Sequence, residues 1–145
     1  MKRIHMTFVG GGSKEGEIKK MVNDFDLGEY VTFTGRRNDV PEILKTMDVF
    51  IMPSTVEGLP MSAIEAMRSG LFLILIDAGG NKELCEDGCG FVCTREPTNI
   101  KEIMCDVLDN AVISNEQKVR SNQRFLDRFS LSSMAKGYEE TINML

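Results

Sequence analysis

Apolar residues along the chain occur in two patterns, short continuous runs and longer stretches in which they recur at helical spacing. The runs are rich in β-branched and large apolar residues, and most are bounded by glycine or proline, which is typical of β-strands. One run, LFLILI, is apolar at every position, as expected for a strand that is covered on both faces. The runs predict strands at residues 4–9, 31–34, 48–52, 71–76 and 90–93.

The stretches between and after these runs predict helices. Ser13 and Ser130 are candidate N-caps, and Gly70 stands where a helix C-terminus favours glycine. Strands that alternate with helices of about ten residues are typical of parallel sheets with helical crossovers. We therefore expect a doubly wound, Rossmann-like α/β fold with a parallel sheet and helices on both faces. The predicted helices cover residues 14–24, 39–47, 61–69, 81–87, 100–109, 115–128 and a last stretch with Leu131, Met134, Tyr138 and Ile142 on one face.

Composition narrows the class of protein. The 145 residues fit one domain, and the net charge of −5 argues against a nucleic-acid binder, which needs a basic face. No apolar run approaches the 18 or more residues of a membrane span. The first residues do not have the pattern of a signal peptide, so we expect a cytoplasmic protein.

Two patterns could indicate a metal, and neither does so convincingly. Asp24-Phe25-Asp26 follows a predicted helix, whereas a metal-binding pair is expected after a strand, at the carboxyl edge of the sheet. The second pattern is the spacing Cys-x3-Cys-x3-Cys, which would need a fourth ligand for zinc, and the single histidine, His5, is far from it in sequence. We expect no metal and reduced, packed thiols at Cys85, Cys89, Cys93 and Cys105.

The loop after the third predicted strand carries the clearest candidate chemistry. Ligands of open α/β sheets bind outside the carboxyl ends of the strands. Glu57 lies in this loop and Glu65 in the helix that follows, among apolar neighbours. Gly58 lets a ligand approach the backbone, and the free amides at the helix start attract phosphate. Two carboxylates beside an anion cradle fit a ligand with hydroxyl groups on both sides of a diphosphate.

These residues also carry a resemblance to a known family. EGLPMSAIEAM resembles the E-x7-E motif of the retaining GT-B glycosyltransferases of family GT4, the glycosyltransferases group 1. VTFTGRRNDV, DVFIMPSTVEGLP and AGGNKELCEDGCGFV resemble further segments of the family, in the same order along the chain. The resemblance implies the donor-binding, C-terminal half of a GT-B fold.

The resemblance also implies roles for individual residues. Glu57 would contact hydroxyls of the donor sugar and serve as the catalytic residue, and Glu65 would hold the ribose hydroxyls. Leu59 and Met61 would offer their amides to the diphosphate beside Gly58, because Pro60 has no N–H. The base would be lined by Gly35, Arg36 and Arg37, and the sugar and diphosphate by Gly79, Gly80 and Asn81. The donor implied is a nucleoside-diphosphate sugar, with no cofactor and no metal.

A complete family member also has an acceptor domain, for which 145 residues leave no room. We expect residues 1–145 to form one sugar-nucleotide-binding domain, truncated at its N-terminus, whose acceptor half lies in the same polypeptide or in a partner chain. The expected reaction transfers a hexose to a polysaccharide or lipid-linked glycan. Only the missing half would contact the membrane, and the complete enzyme would lie at the inner face of that membrane. The alternative is a non-catalytic α/β module that binds a nucleotide or sugar nucleotide.

Overall fold

A computed structural model describes residues 4–109 and 115–144 of the chain. Parallel strands alternate with helices in it, which confirms the predicted α/β class. Residue contacts divide the chain into two compact units, Met1–Val40 and Pro41–Leu145. In chain order the elements are β1 (Met6–Val9), α1 (Glu15–Asp24), β2 (Val31–Gly35), α2 (Val40–Leu44), β3 (Val49–Met52), α3 (Met61–Arg68), β4 (Phe72–Ile76), α4 (Asn81–Cys85), β5 (Gly90–Cys93), α5 (Pro97–Asp109), α6 (Asn115–Arg124) and α7 (Leu131–Asn143).

The first unit pairs β1 with β2 in parallel, and α1 connects them. The rings of Phe8 and Phe33 stack across the pair with their centroids 5.0 Å apart. The predicted Ser13 cap is wrong, because α1 is preceded by Lys14 and has no side-chain cap. A backbone bond from the Glu15 amide to the Gly12 carbonyl, 3.1 Å long, forms the turn that leads into the helix.

The second unit contains a parallel sheet with the strand order β3-β4-β5. The register sets Met52 beside Leu75 and Ile76 beside Cys93, so the three strands end close to one level. Every residue of β4 is buried. Side chains of α5 pack on Phe72, Ile74 and Ile76, and α3, α4 and α6 also contact β4. Helices therefore cover both faces of this strand, as its apolar sequence predicts.

Helix α3 connects β3 to β4 and ends where glycine is required. Gly70 has a φ of +81°, and a Cβ there would lie 3.0 Å from the carbonyl oxygen of Lys118. A residue with a side chain would be strained in this backbone conformation and would press on α6. The prediction that Gly70 closes this helix is confirmed.

The C-terminal helices differ from the prediction at the end of α6. Helix α6 passes at Arg124 into a π-helical turn, Phe125–Phe129, whereas the sequence predicted one helix to residue 128. Ser130 caps α7 as predicted, with its hydroxyl accepting from the Ser133 amide. The predicted apolar face of α7 is exposed at Leu131, Met134, Tyr138 and Ile142. No helix in the described ranges is long and apolar enough to cross a membrane.

Candidate functional site

Two loops of the second unit meet at the carboxyl edge of its sheet. Glu57 and Gly58 lie in the loop that follows β3, and Gly79 and Gly80 lie in the loop that follows β4. The amide of Gly80 donates to the carbonyl of Gly58 over 2.7 Å. The structure thus brings these predicted site residues together, at the edge where open α/β sheets bind ligands.

Glycine makes this contact between the loops possible. Gly79 has a φ of +51°, and a Cβ there would overlap the carbonyl oxygen of Glu57 and lie 2.7 Å from that of Gly58. A Cβ on Gly80 would lie 3.0 Å from the Gly58 carbonyl oxygen. Because backbone atoms cannot swing aside, a side chain at either position would push the loops apart.

The N-terminus of α3 opens beside this contact. Pro60 occupies the N-cap position and provides no side-chain cap. Within the part of the chain that the structure describes, the amides of Leu59, Met61 and Ser62 have no hydrogen-bond acceptor. These donors lie at the positive end of the helix dipole, so they suit a phosphate group.

The two candidate carboxylates differ in their surroundings. Glu57 is half-buried in its loop, and Glu65 is exposed in the second turn of α3. The apolar neighbours of Glu65 lie on the opposite, buried face of the helix, so the expectation of an apolar environment was wrong. Neither carboxylate is hydrogen-bonded or ion-paired to another described residue, which leaves both able to accept from a ligand's hydroxyl groups. The buried face consists of Ala63, Ile64, Ala66 and Met67.

The residues expected to line the base belong to the first unit. Gly35 ends β2 with a φ of +64°. Arg37 donates two hydrogen bonds to Asp39, at 2.8 and 2.6 Å. This hydrogen bonding is the main cause that lowers the pKa of the Asp39 carboxyl. Arg36 is exposed and has no charged partner among residues 4–109 and 115–144. The Arg36 guanidinium is therefore unpaired in the described structure, whereas that of Arg37 is paired with Asp39. A contact between Arg36 and a base stays a prediction.

Asn81 is fully buried. Its side-chain nitrogen donates to the carbonyl of Ile76 over 2.9 Å and so joins the end of β4 to the start of α4. Its side-chain oxygen has no hydrogen-bond partner among the described residues. Asn81 therefore anchors the start of α4, directly after the Gly79–Gly80 loop, to the end of β4. A direct contact between Asn81 and a sugar stays a prediction.

Arg95 is a site residue that the sequence did not predict. This residue follows β5, and its guanidinium donates to the carbonyl of Thr55 in the Glu57 loop over 3.2 Å. The signal available in the sequence was a cation directly after a predicted strand, at the edge where the other candidate loops lie. Lys82, on α4, is paired with Asp77 at 3.0 Å.

Three of the four thiols are buried as expected. Burial raises the pKa of the Cys85 thiol to about 12 and also raises the pKa values of Cys89 and Cys93. Cys105 is exposed, so the expectation of packing was wrong for this residue. Across the described ranges, no group of three or more His, Cys, Asp or Glu side chains could hold a metal ion.

Comparison with known proteins decides the family. The model of the family "Glycosyl transferases group 1" matches residues 2–124. The chain belongs to this family. Group 1 membership confirms the resemblance seen in the EGLPMSAIEAM segment and its companions.

Relatives of this group 1 chain are longer than it is. An uncharacterized glycosyltransferase of Haemophilus influenzae is 34% identical over 102 residues, which cover 69% of this chain and 28% of the relative. The Vi polysaccharide biosynthesis protein VipC/TviE of Salmonella typhi is 32% identical over 139 residues, covering 92% of this chain and 24% of the relative. The chain thus spans about a quarter of the length of these relatives.

Solved structures show the same fold as this group 1 chain. Anabaena Alr3699/HepE in complex with UDP matches with a TM-score of 0.79 and 23% identity, covering 98% of this chain and 41% of that protein. The complex of the same protein with UDP-glucose matches with a TM-score of 0.77 and 22% identity, over 97% and 41%. The fold of the chain is that of a GT-B glycosyltransferase domain.

Proposed function

We propose that the chain is the donor-binding part of a retaining glycosyltransferase of the GT4 type, which transfers a hexose from a nucleoside-diphosphate sugar to a polysaccharide or lipid-linked glycan. The observation that carries the proposal is the contact between the Glu57–Gly58 and Gly79–Gly80 loops beside the uncapped start of α3. The UDP and UDP-glucose complexes of Anabaena HepE support this donor class. The Salmonella typhi relative supports the acceptor class.

The proposed donor is bound by two kinds of group in the second unit, backbone amides and carboxylates. The amides of Leu59 and Met61 receive the diphosphate, since they are unbonded donors at the positive end of α3. Glu57 accepts from hydroxyls of the sugar, and Glu65 accepts from hydroxyls of the ribose.

The chemistry that these residues contribute is stabilisation of the leaving group. Negative charge grows on the diphosphate as the bond to the sugar breaks, and preorganised amides lower the barrier by stabilising that charge. Glu57 orients the sugar through its hydroxyls, and neither an acid nor a base is paired with it in the described structure. The acceptor hydroxyl must be delivered by the rest of a complete enzyme, so we expect no transfer by the 145-residue chain alone. We place that enzyme in the cytoplasm, at the inner face of the membrane.

Calorimetric titration with UDP and UDP-glucose tests the binding roles. Glu65→Ala removes the ribose acceptor and should weaken binding of both ligands by about 1.5–3 kcal/mol, the range for hydrogen bonds to a charged group. Glu57→Ala should weaken UDP-glucose but leave UDP unchanged, because it touches only the sugar. The matched control is Glu102→Ala, which removes an exposed carboxylate from α5. If Glu65→Ala binds UDP as the parent does, Glu65 is not the ribose ligand.

A transfer assay tests the catalytic part of the proposal. When the acceptor half is supplied in the same or a second polypeptide, Glu57→Ala should lower turnover more than it weakens binding of UDP. Unchanged turnover in that variant would contradict the role of Glu57. Sugar transfer by the 145-residue chain alone would contradict the need for a second half.

A further inference from the structure

The guanidinium of Arg95 reaches across the ligand-binding edge of the sheet. Arg95 follows β5, and Thr55, whose carbonyl it contacts at 3.2 Å, follows β3. Strand β4 lies between these two strands in the sheet. Neighbouring strands are about 4.8 Å apart, so the contact joins loops whose strands are separated by about 10 Å. The side chain therefore connects the two outer strands over the end of the central one.

The backbone around Arg95 is itself held in place. The side-chain oxygen of Asn99 accepts from the amide of Thr94 at 2.9 Å and from its hydroxyl at 3.3 Å. The Thr94 hydroxyl also accepts from the amide of Glu96 at 3.4 Å. Both neighbours of Arg95 are thus tied to the first turn of α5, which gives the guanidinium a fixed base.

The loop that Arg95 contacts has few other attachments. Between Pro53 and Gly58, only two hydrogen bonds to the rest of the second unit are found among the described residues. One joins Arg95 to Thr55, and the other joins the Gly80 amide to the Gly58 carbonyl. Glu57 lies between the two points of attachment. Loss of either one would release the backbone segment that carries this carboxylate.

We propose that Arg95 is a positioning residue, which holds the Glu57 loop so that the Glu57 carboxylate meets the donor sugar. This inference rests on the proposed function and adds a residue to it. Arg95 acts through Glu57, and so its removal should affect binding of the sugar but not of the bare nucleotide. A guanidinium that bound the diphosphate directly would affect both ligands equally.

The test compares Arg95→Met, which keeps the apolar stem, with Arg95→Lys, which restores one charged donor. Calorimetry with the 145-residue chain should show UDP-glucose bound about tenfold more weakly by Arg95→Met, with UDP unchanged within twofold. Arg95→Lys should recover part of the loss. The matched control is Lys101→Met, which removes an exposed cation from α5 and should change neither affinity. Thermal unfolding of each variant shows that it is folded.

A double mutant separates this inference from the proposed function. If Arg95 acts through Glu57, Glu57→Ala with Arg95→Met should bind UDP-glucose no more weakly than Glu57→Ala alone. Additive losses, equal losses for UDP and UDP-glucose, or no loss in Arg95→Met would each overturn the role of Arg95. If Glu57→Ala itself leaves UDP-glucose binding unchanged, the sugar-binding role of Glu57 fails, and the inference fails with it.

Discussion

Replacement of Gly79 by alanine tests the geometry of the site in the absence of any ligand. Gly79 has a φ of +51°, a conformation that costs a residue with a side chain about 1–2 kcal/mol. The added Cβ would also overlap the Glu57 carbonyl oxygen and lie 2.7 Å from that of Gly58. The loops must then separate, which lengthens or breaks the bond between the Gly80 amide and the Gly58 carbonyl.

The expected loss of stability follows from these contributions. The backbone strain is about 1–2 kcal/mol, and the lost hydrogen bond contributes about 1 kcal/mol. The overlap adds about 1–3 kcal/mol before the loops relax, while the stiffer unfolded chain offsets about 0.4–1 kcal/mol. We expect a net decrease of about 2–4 kcal/mol in the free energy of unfolding, which denaturant titration measures. In a chain of this size, it corresponds to roughly 7–13 °C in Tm.

Gly58→Ala is the matched control, because it places the same methyl group on the opposite loop. A Cβ at Gly58 meets no atom within 4 Å, and its φ lies outside the left-handed region. The free energy of unfolding of Gly58→Ala should differ from that of the parent by less than about 1 kcal/mol. If Gly79→Ala unfolds at the same denaturant concentration as this control, the loops do not touch as described, and the geometry of the proposed site is wrong.

Two further predictions concern stability away from the loops. Gly137→Ala should raise the free energy of unfolding by about 0.5–1 kcal/mol, because Gly137 lies inside α7 and a Cβ there meets no atom within 4 Å. A decrease in denaturant titration would show that the backbone of α7 at Gly137 is not helical. Above pH 9 the unfolded chain ionises Cys85 at its ordinary pKa of 9.0, whereas the folded chain retains the proton up to about pH 12. The stability advantage of the parent over Cys85→Ala should therefore decrease by about 1 kcal/mol from pH 8 to pH 10, and a constant difference would contradict the burial of this thiol.

The sequence was a good guide to the elements because local patterns determine them. The fully apolar run at β4 indicated a strand covered on both faces. Ser130 marked the start of a helix through its hydroxyl, and Gly70 marked the end of one because glycine tolerates a positive φ. The π-helical turn Phe125–Phe129 could not be predicted, because apolar spacing does not distinguish it from a continued α-helix. Spacing also placed four apolar residues on one face of α7 but could not show that this face is exposed.

The candidate site was predictable only in part. The order of strands and loops placed Glu57 and Gly79 at one edge, because parallel strands end at the same side. The contact between Arg95 and Thr55 joins residues that are 40 positions apart, and no local pattern encodes it. The apolar neighbours of Glu65 did not indicate a buried carboxylate, because helical periodicity places them on the opposite face of α3.

The distribution of thiols gives the chain a built-in reporter of folding. Cys105 is exposed on α5, roughly 12 Å along the helix from its first residue, whereas Cys85, Cys89 and Cys93 are buried. An alkylating reagent therefore meets one thiol on the folded chain and four on the unfolded one. Counting modified cysteines by mass follows unfolding without a mutation, and a dye on Cys105 leaves every residue of the ligand loops unaltered.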